Sequence, residues 1–312
     1  MNQERVFSLV ENGDITVSEA LSIIRKSASE GKISLEMSKE NKIAEIQQEL
    51  NRLIGLESVK QLIHEIYAFV EIQQKRVQMQ LASEPVVLHM IFSGNPGVGK
   101  TTVARLIGKL FMEMGVLSKG HLVEVERADL VAEYIGQTAQ KTREQLRKAT
   151  GGILFIDEAY SLARGGEKDF GKEAIDTMVK TMEDQRNNLI IILAGYSEPM
   201  KEFLETNPGL SSRFPIQIEF PDYSSFELFK IAELMLQERD YQLNKGARRK
   251  LYRIIEELKA AETTNFGNAR TVRNIIEKAI RRQAVRLVNM KNLSRTDLME
   301  ITEEDIQGEV GP

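Results

Sequence analysis

The chain has 312 residues, 42% of them hydrophobic and 28% charged, and a formal net charge of −4. It contains no cysteine, which excludes disulfides, thiol catalysis and cysteine-ligated metals, and its three histidines lack the spacing of a zinc site. The acidic balance gives no chain-wide positive field for nucleic acid. Since neither a signal-peptide pattern nor a long apolar run is present, we expect a cytoplasmic protein without membrane contact.

The chain length predicts two domains with buried cores, preceded here by a polar segment. Residues 1–45 are weakly patterned, and we interpret them as a variable N-terminal segment to which the sequence assigns no chemistry. From Lys42 to Gln80 the apolar positions follow helical spacing. Gly55 interrupts that spacing, which predicts two helices joined at residues 54–56.

Short apolar runs alternate with helix-like stretches in the middle of the chain, which is typical of a parallel α/β sheet. The five predicted strands are Val86–Phe92, Leu122–Val125, Ile153–Ile156, Leu189–Leu193 and Ile216–Phe220. The strand pattern ends at Asp222. Residues 223–312 are typical of a small all-α domain, which begins with a capping box formed by Ser224 and Glu227.

A glycine-rich segment follows the first predicted strand and precedes a helical stripe. It has the phosphate-loop pattern GxxxxGK[ST] in the strand–loop–helix context that the pattern requires. Its residues are Gly94, Asn95, Pro96, Gly97, Val98, Gly99, Lys100 and Thr101, with Thr102 next in the helix. Backbone N–H groups of such a loop cradle phosphate oxygens, the lysine reaches the β- and γ-phosphates and the threonine hydroxyl ligates Mg²⁺. The sequence therefore predicts a P-loop parallel sheet with flanking helices at residues 46–222.

Two carboxylates, Asp157 and Glu158, follow the third predicted strand. A carboxylate at this end of a strand beside a phosphate loop is placed to hold Mg²⁺, which we assign to Asp157. Glu158 is then placed to activate the attacking water, which favours hydrolysis of ATP. The alternative is that Asp157 caps a helix beginning near Ala159.

Several separated motifs resemble those of the AAA+ ATPases and occur in the same order along the chain. They include Tyr134–Thr142, Asp157–Ala163 and Asn207–Phe214, and they are similar to the branch that contains red-type rubisco activases and a bacterial sporulation protein. The resemblance implies an AAA+ core followed by a helical lid. It also implies a homo-oligomeric ring, expected to be a hexamer, with ATP sites between subunits.

The same resemblance assigns roles to single residues. Arg213 matches the arginine finger that reaches a neighbour's γ-phosphate, although the sequence alone would favour a surface or salt-bridged arginine. Arg270 matches the sensor 2 arginine of the lid, and Arg273, one turn away, competes for that role. Gly55 and Leu56 match the segment that borders the adenine base, where the alternative is an interhelical turn.

Two loops leave choices open. Either Tyr196 or Ser197, after the fourth strand, occupies the sensor 1 position. Tyr134, Ile135 and Gly136 match the family's pore loop, where an aromatic and an aliphatic side chain grip an extended polypeptide; the alternative is that Tyr134 is buried against the sheet.

The predicted function is that of a Mg²⁺-dependent ATPase, with ATP and Mg²⁺ as cofactors, that remodels an unknown protein substrate. The resemblance implies a role in bacterial sporulation. The alternatives are a rubisco activase-type chaperone, a nucleic-acid-acting AAA+ machine and a nucleotide-gated scaffold. Nucleic acid is not expected as a partner because acidic residues interleave with the basic stretch 248–286, as on a salt-bridged helix surface.

Overall fold

The computed structural model describes residues 16, 38–83, 86–134, 136–164, 170–184, 188–261, 267–288 and 290–307. The chain divides into a unit of residues 1–49 and a unit of residues 50–312. In the first unit residues 38–49 are helical. Most of the predicted N-terminal segment 1–45 lies outside the described residues, and the predicted boundaries at 45/46 and 222/223 stay predictions.

Two helices precede the sheet, as the interrupted spacing predicted. Helix α1 covers residues 38–52 and helix α2 covers Glu57–Gln78. Gly55 and Leu56 separate them with φ of 63° and 60°. A left-handed conformation is costly for leucine, and its side chain, only 5% exposed, is held there by packing.

Five parallel strands form the sheet, in the spatial order β2-β3-β4-β1-β5. They are β1 Met90–Ser93, β2 Leu122–Val125, β3 Ile153–Ile156, β4 Ile190–Gly195 and β5 Ile216–Glu219. All five predicted strands are confirmed, but β1 begins at Met90 and not at Val86. At this point the side chain of His89 takes the place of a ladder carbonyl, since the Ile191 N–H donates to His89 Nδ1 at 3.0 Å.

Helices connect the strands and cover both faces of the sheet. They are α3 Lys100–Glu113, α4 Arg127–Leu130, α5 Thr138–Ala149, α6 Gly171–Asp184, α7 Ser197–Thr206 and α8 Pro208–Ser211, with a 3₁₀ turn at Ala159–Ala163. Every residue of β3 and β4 is buried, as continuous apolar strands in a covered parallel sheet should be. Phe92 on β1 lies against Phe155 and Phe220, with ring centroids 6.4 and 5.0 Å away.

A helical domain follows the sheet. It contains α9 Ser225–Gln237, α10 Lys245–Ala261, α11 Asn268–Leu287 and α12 Arg295–Met299. The predicted capping box is present: Ser224 Oγ accepts from the Glu227 N–H, and the Glu227 carboxylate accepts from the Ser224 N–H. The domain also contains a pair of parallel two-residue strands, β6 Gln242–Leu243 and β7 Glu300–Ile301. They are too short to show the alternation of apolar and polar residues by which a strand is predicted from sequence.

The basic stretch of this domain is partly neutralised by ion pairs. Arg248 pairs with Glu233, and Arg286 pairs with Asp305 at 2.8 Å. Among the described residues no helix is long and apolar enough to cross a membrane.

Candidate functional site

The predicted site residues meet where the parallel strands end. The carboxyl ends of β1, β3 and β4 lie at one edge of the sheet, and ligands of open α/β sheets bind outside this edge. A cleft of about 1300 Å³ opens here between the sheet and the helical domain. It is lined from the phosphate loop by Pro96, Gly97, Gly99, Lys100, Thr101 and Thr102. The remaining loop residues, Gly94, Asn95 and Val98, are not among those that line it.

The phosphate loop has the backbone that its glycines predict. Gly97 and Gly99 have φ of 73° and 96°, conformations that a side chain disfavours. Gly99 is the N-cap of α3, so the loop leads directly into a helix N-terminus. Free N–H groups and the helix dipole at this position favour an anion, as a phosphate site requires.

Lys100 lies folded onto the loop that precedes it. Its Nζ donates to the carbonyl oxygens of Gly94 and Asn95 at 2.7 and 2.9 Å. Burial lowers the pKa of the Lys100 ammonium, while Asp157 acts in the opposite direction. A partly desolvated ammonium interacts more strongly with a phosphate than one in bulk water.

The acidic pair lies at the end of β3, facing the same cleft. Asp157 accepts a hydrogen bond from the Glu158 N–H at 3.0 Å. Glu158 has φ of 46° and occupies the N-cap position of the 3₁₀ turn without a side-chain capping bond. The alternative that Asp157 caps this turn is therefore not what the structure shows. Both carboxylates line the cleft.

An apolar wall forms the other side of the cleft. Leu53, Ile54 and Leu56 contribute to it before α2, and Ile231, Leu234 and Met235 contribute from α9. Such a surface suits a flat aromatic base. Gly55, predicted as a nucleotide contact, is not among the residues that line the cleft, and a Cβ there would lie 2.2 Å from Glu227 Oε1. The α9 residues had no motif by which the sequence could have identified them.

Both candidate sensor arginines, Arg270 and Arg273, line the cleft. The backbone of Arg270 contacts the phosphate loop, since a Cβ at Gly97 would lie 2.8 Å from the Arg270 nitrogen. Of the two sensor 1 candidates, Tyr196 lines the cleft. Ser197 is the first residue of α7.

The pore-loop and finger candidates lie at the rim of the cleft or outside its lining. Tyr134 is 67% exposed at the rim of the cleft, and Gly136 is exposed, with φ of 81°. Ile135 lies outside the described residues. The Arg213 guanidinium lies outside the cleft, where it donates to Glu183 Oε1 at 2.7 Å and to the Gly209 carbonyl at 2.9 Å.

Sequence reasoning missed a polar group between the sheet and the helical domain. The carboxylate of Asp222 accepts from the side-chain amides of both Asn95 and Asn268. We call these three residues the linker network. The sequence positions of these residues could have pointed to the network, because Asn268 precedes the candidate sensor Arg270 by two positions and Asp222 stands at the end of the strand pattern.

Comparisons with known proteins agree with this geometry. The sequence profile of the ATPase family associated with various cellular activities (AAA) matches residues 90–222. The AAA lid domain profile matches residues 224–311.

The chain is also similar to individual proteins over most of its length. It is 58% identical over 265 residues to stage V sporulation protein K of Bacillus subtilis, covering 85% of this chain and 82% of that protein. It is 45% identical over 272 residues to the chloroplastic ribulose bisphosphate carboxylase/oxygenase activase of Cyanidioschyzon merolae, covering 86% and 92%. Protein CbbX of Cereibacter sphaeroides is 46% identical over 267 residues, covering 84% of this chain and 86% of that protein.

Solved structures share the fold at low identity. The FIGL-1 AAA domain superposes with a TM-score of 0.56 at 17% identity, covering 82% of this chain and 80% of that one. The same domain in complex with ADP gives a TM-score of 0.55 at 18% identity, covering 81% and 80%. The profile matches and the extended identity confirm the resemblance inferred from the motifs: the chain belongs to the ATPase family associated with various cellular activities (AAA) and is an ATP hydrolase.

Proposed function

We propose that this ATPase assembles as a hexameric ring and uses Mg²⁺-dependent ATP hydrolysis to remodel a protein substrate during bacterial sporulation, in the cytoplasm. The proposal rests on one observation: the phosphate loop, the acidic pair and Arg270 line the same cleft, which also has an apolar wall. The 58% identity to a sporulation protein supports the cellular role.

Each cleft residue has a defined task in this proposal. Lys100 releases its loop carbonyls to bind the β- and γ-phosphates, and Glu158 orients and deprotonates the attacking water. Arg270 contacts the nucleotide bound to its own subunit, while Arg213 acts on that of a neighbour. Thr101 and Asp157 would hold the Mg²⁺, which neutralises charge on the phosphates when it is bound.

The donor set fits a magnesium ion that is shared with phosphate. A hydroxyl and a carboxylate supply hard oxygen ligands, and Mg²⁺ in such sites also binds phosphate oxygens and water. Among the described residues no three His, Cys, Asp or Glu side chains cluster as an all-protein metal site.

The proposed contact with the substrate is the loop that contains Tyr134, Ile135 and Gly136. Tyr134 is 67% exposed, so its ring is available to a polypeptide in the channel of a ring. An aromatic ring offers a large apolar surface without reading sequence.

A second candidate function is that of a rubisco activase-type chaperone. It is favoured by the 45% identity to a protein named as a ribulose bisphosphate carboxylase/oxygenase activase. The two candidates share the ATPase chemistry and differ in the substrate that the ring holds.

The Glu158→Gln variant tests the proposal. The amide cannot accept the proton of water, so we expect retained ATP binding and turnover at least about a hundredfold slower. A ring trapped with ATP should hold its substrate in a lysate of sporulating cells, where mass spectrometry can identify it. Normal steady-state turnover by this variant would reject Glu158 as the base.

Double variants test the loop in the same trap. Adding Tyr134→Ala should abolish substrate capture, whereas adding Tyr134→Phe should preserve it because the ring is kept. Equal capture by both double variants would contradict the assigned role of the loop.

A further inference from the structure

The first turn of α11 packs directly on the phosphate loop. The Ala269 N–H donates to the Gly97 carbonyl at 3.2 Å. A Cβ at Gly97 would lie 2.3 Å from the Gly267 carbonyl oxygen and 2.8 Å from the Arg270 nitrogen. The loop that holds phosphate and the turn that carries Arg270 are therefore in backbone contact.

Asn268 lies at the centre of this contact. It is fully buried and has φ of 45°, a conformation that asparagine tolerates better than most residues. Its Oδ1 accepts from the Tyr223 N–H at 3.0 Å, and its Nδ2 donates to Asp222 Oδ1 at 2.8 Å and to the Pro96 carbonyl at 3.4 Å. One amide thus joins the lid helix, the interdomain linker and the phosphate loop.

The linker network also includes a side chain of the phosphate loop itself, Asn95. Asn95 Nδ2 donates to Asp222 Oδ1 and Oδ2 at 3.0 and 2.9 Å. Asp222 thus receives one amide from the loop and one from the lid. In addition, the Tyr223 hydroxyl donates to the Val98 carbonyl at 3.1 Å, so adjacent linker residues hold the loop at two places.

We propose that Asn268 is a positioning residue for nucleotide binding, which acts through Asp222 and Asn95 to hold the phosphate loop and Arg270 in their ATP-binding arrangement. The proposal rests on the ATP site described above. It assigns the network a role separate from fold stability: a shift of the lid helix moves the loop through shared hydrogen bonds, and a change at the loop moves the lid.

A charge swap across the Asn268–Asp222 pair tests this role. Asn268→Asp removes the amide that donates to Asp222 and sets two carboxylates against each other. Because a hydrogen bond to a charged group is lost and replaced by repulsion, we expect ATP binding to weaken at least about tenfold. Asn268→Asp combined with Asp222→Asn restores a complementary pair, because the amide introduced at position 222 can donate to the carboxylate introduced at position 268 and accept from Asn95. Of the hydrogen bonds that Asn268 makes, only the long 3.4 Å bond to the Pro96 carbonyl is not replaced. The double variant should bind ATP within about threefold of the unmodified protein.

The measurement is titration with a fluorescent ATP analogue, together with the melting temperature of each variant. The matched control is Asn244→Asp, which introduces the same charge in the lid at a side chain that accepts from the Ala247 N–H, an acceptor role that a carboxylate keeps. This control should bind ATP normally. Wild-type affinity in Asn268→Asp, or a double variant as weak as the single one, would overturn the proposal.

If Asn268→Asp does not fold, Asp222→Ala tests the proposal instead. Asp222 is exposed, and the alanine removes the acceptor of both amides. The buried Nδ2 of Asn268 loses its nearest acceptor, so the melting temperature should fall somewhat, and ATP binding is measured at a temperature where the variant remains folded. We expect ATP binding to weaken several-fold there, and unchanged ATP binding would contradict the proposal. Failure of the unmodified protein to bind ATP would instead contradict the ATP site itself.

Discussion

Glu158 combines a strained backbone with an exposed carboxylate at the candidate catalytic position. A φ of 46° in a non-glycine residue costs about 1–3 kcal/mol and persists only where the surroundings impose it. The fully buried strand β3 before it and the 3₁₀ turn after it supply that constraint. The Glu158 carboxylate lines the cleft and makes no side-chain capping bond to the turn.

His89 is a residue whose protonation state depends on the fold. Its side chain is 5% exposed, its Nδ1 accepts from the Ile191 N–H, and its ring lies 5.8 Å from that of Phe214. Burial lowers its pKa to about 4, well below the ordinary value for histidine. The folded protein therefore keeps this ring neutral at pH values where the unfolded chain protonates it.

The free energy of unfolding should consequently fall as the pH is lowered through the window from about 6.5 to about 4. In that window the unfolded state binds a proton at His89 that the folded state does not. The free energy of unfolding therefore has its full value above the pKa of the unfolded state, and about 3 kcal/mol of it is lost once the pH reaches the pKa of the folded state. His89→Asn keeps an acceptor near the position of Nδ1 but cannot titrate. The free energy of unfolding of this variant, measured with urea, should therefore change less steeply with pH between pH 7.5 and 5 than that of the unmodified protein. The exposed His64→Asn is the control, and identical slopes for all three proteins would contradict this account.

At the scale of elements, the contact between the phosphate loop and the first turn of α11 links the sheet to the lid. Gly97→Ala should weaken ATP binding at least about tenfold, because a Cβ there would lie 2.3 Å from the Gly267 carbonyl oxygen, a backbone atom that cannot move without the helix. Isothermal titration with ATP measures the effect.

Gly115→Ala is the matched control for backbone strain. Gly115 has φ of +77°, close to the +73° of Gly97, yet a Cβ there would meet nothing within 4 Å. It should lose about 1 kcal/mol of stability and keep its ATP affinity. Similar losses of affinity in both variants would attribute the effect to strain and not to the lid contact.

The elements themselves were largely predictable because their signals are local. Strands β2 and β3 have the predicted bounds, and the apolar stripe of α3 and the capping box at Ser224 are present. The start of β1 was not predictable, because it depends on a side chain that bonds to a strand distant in sequence. The linker network was missed for the same reason: Asn95 and Asp222 meet across 127 positions.

At the scale of the whole molecule, the position of Arg213 separates it from the ATP site of its own subunit. Its guanidinium pairs with Glu183 and the Gly209 carbonyl, outside the cleft. An arginine finger that acts on its own subunit would have to leave this position and enter the cleft. A finger that acts on a neighbour needs only to face that neighbour's cleft, which is the arrangement of a head-to-tail ring.

Mixing two inactive variants distinguishes these possibilities. Lys100→Ala should lose its own ATP site but keep its finger, whereas Arg213→Ala should keep its site and lose roughly a thousandfold in turnover. In an equal mixture about a quarter of the interfaces would join an intact site to an intact finger, so ATPase activity should recover to about a quarter of the unmodified level. Arg105→Ala, which removes an exposed arginine paired with Glu124, should leave activity unchanged. A mixture that stays inactive, while native mass spectrometry shows mixed assemblies, would exclude action of Arg213 across a subunit interface.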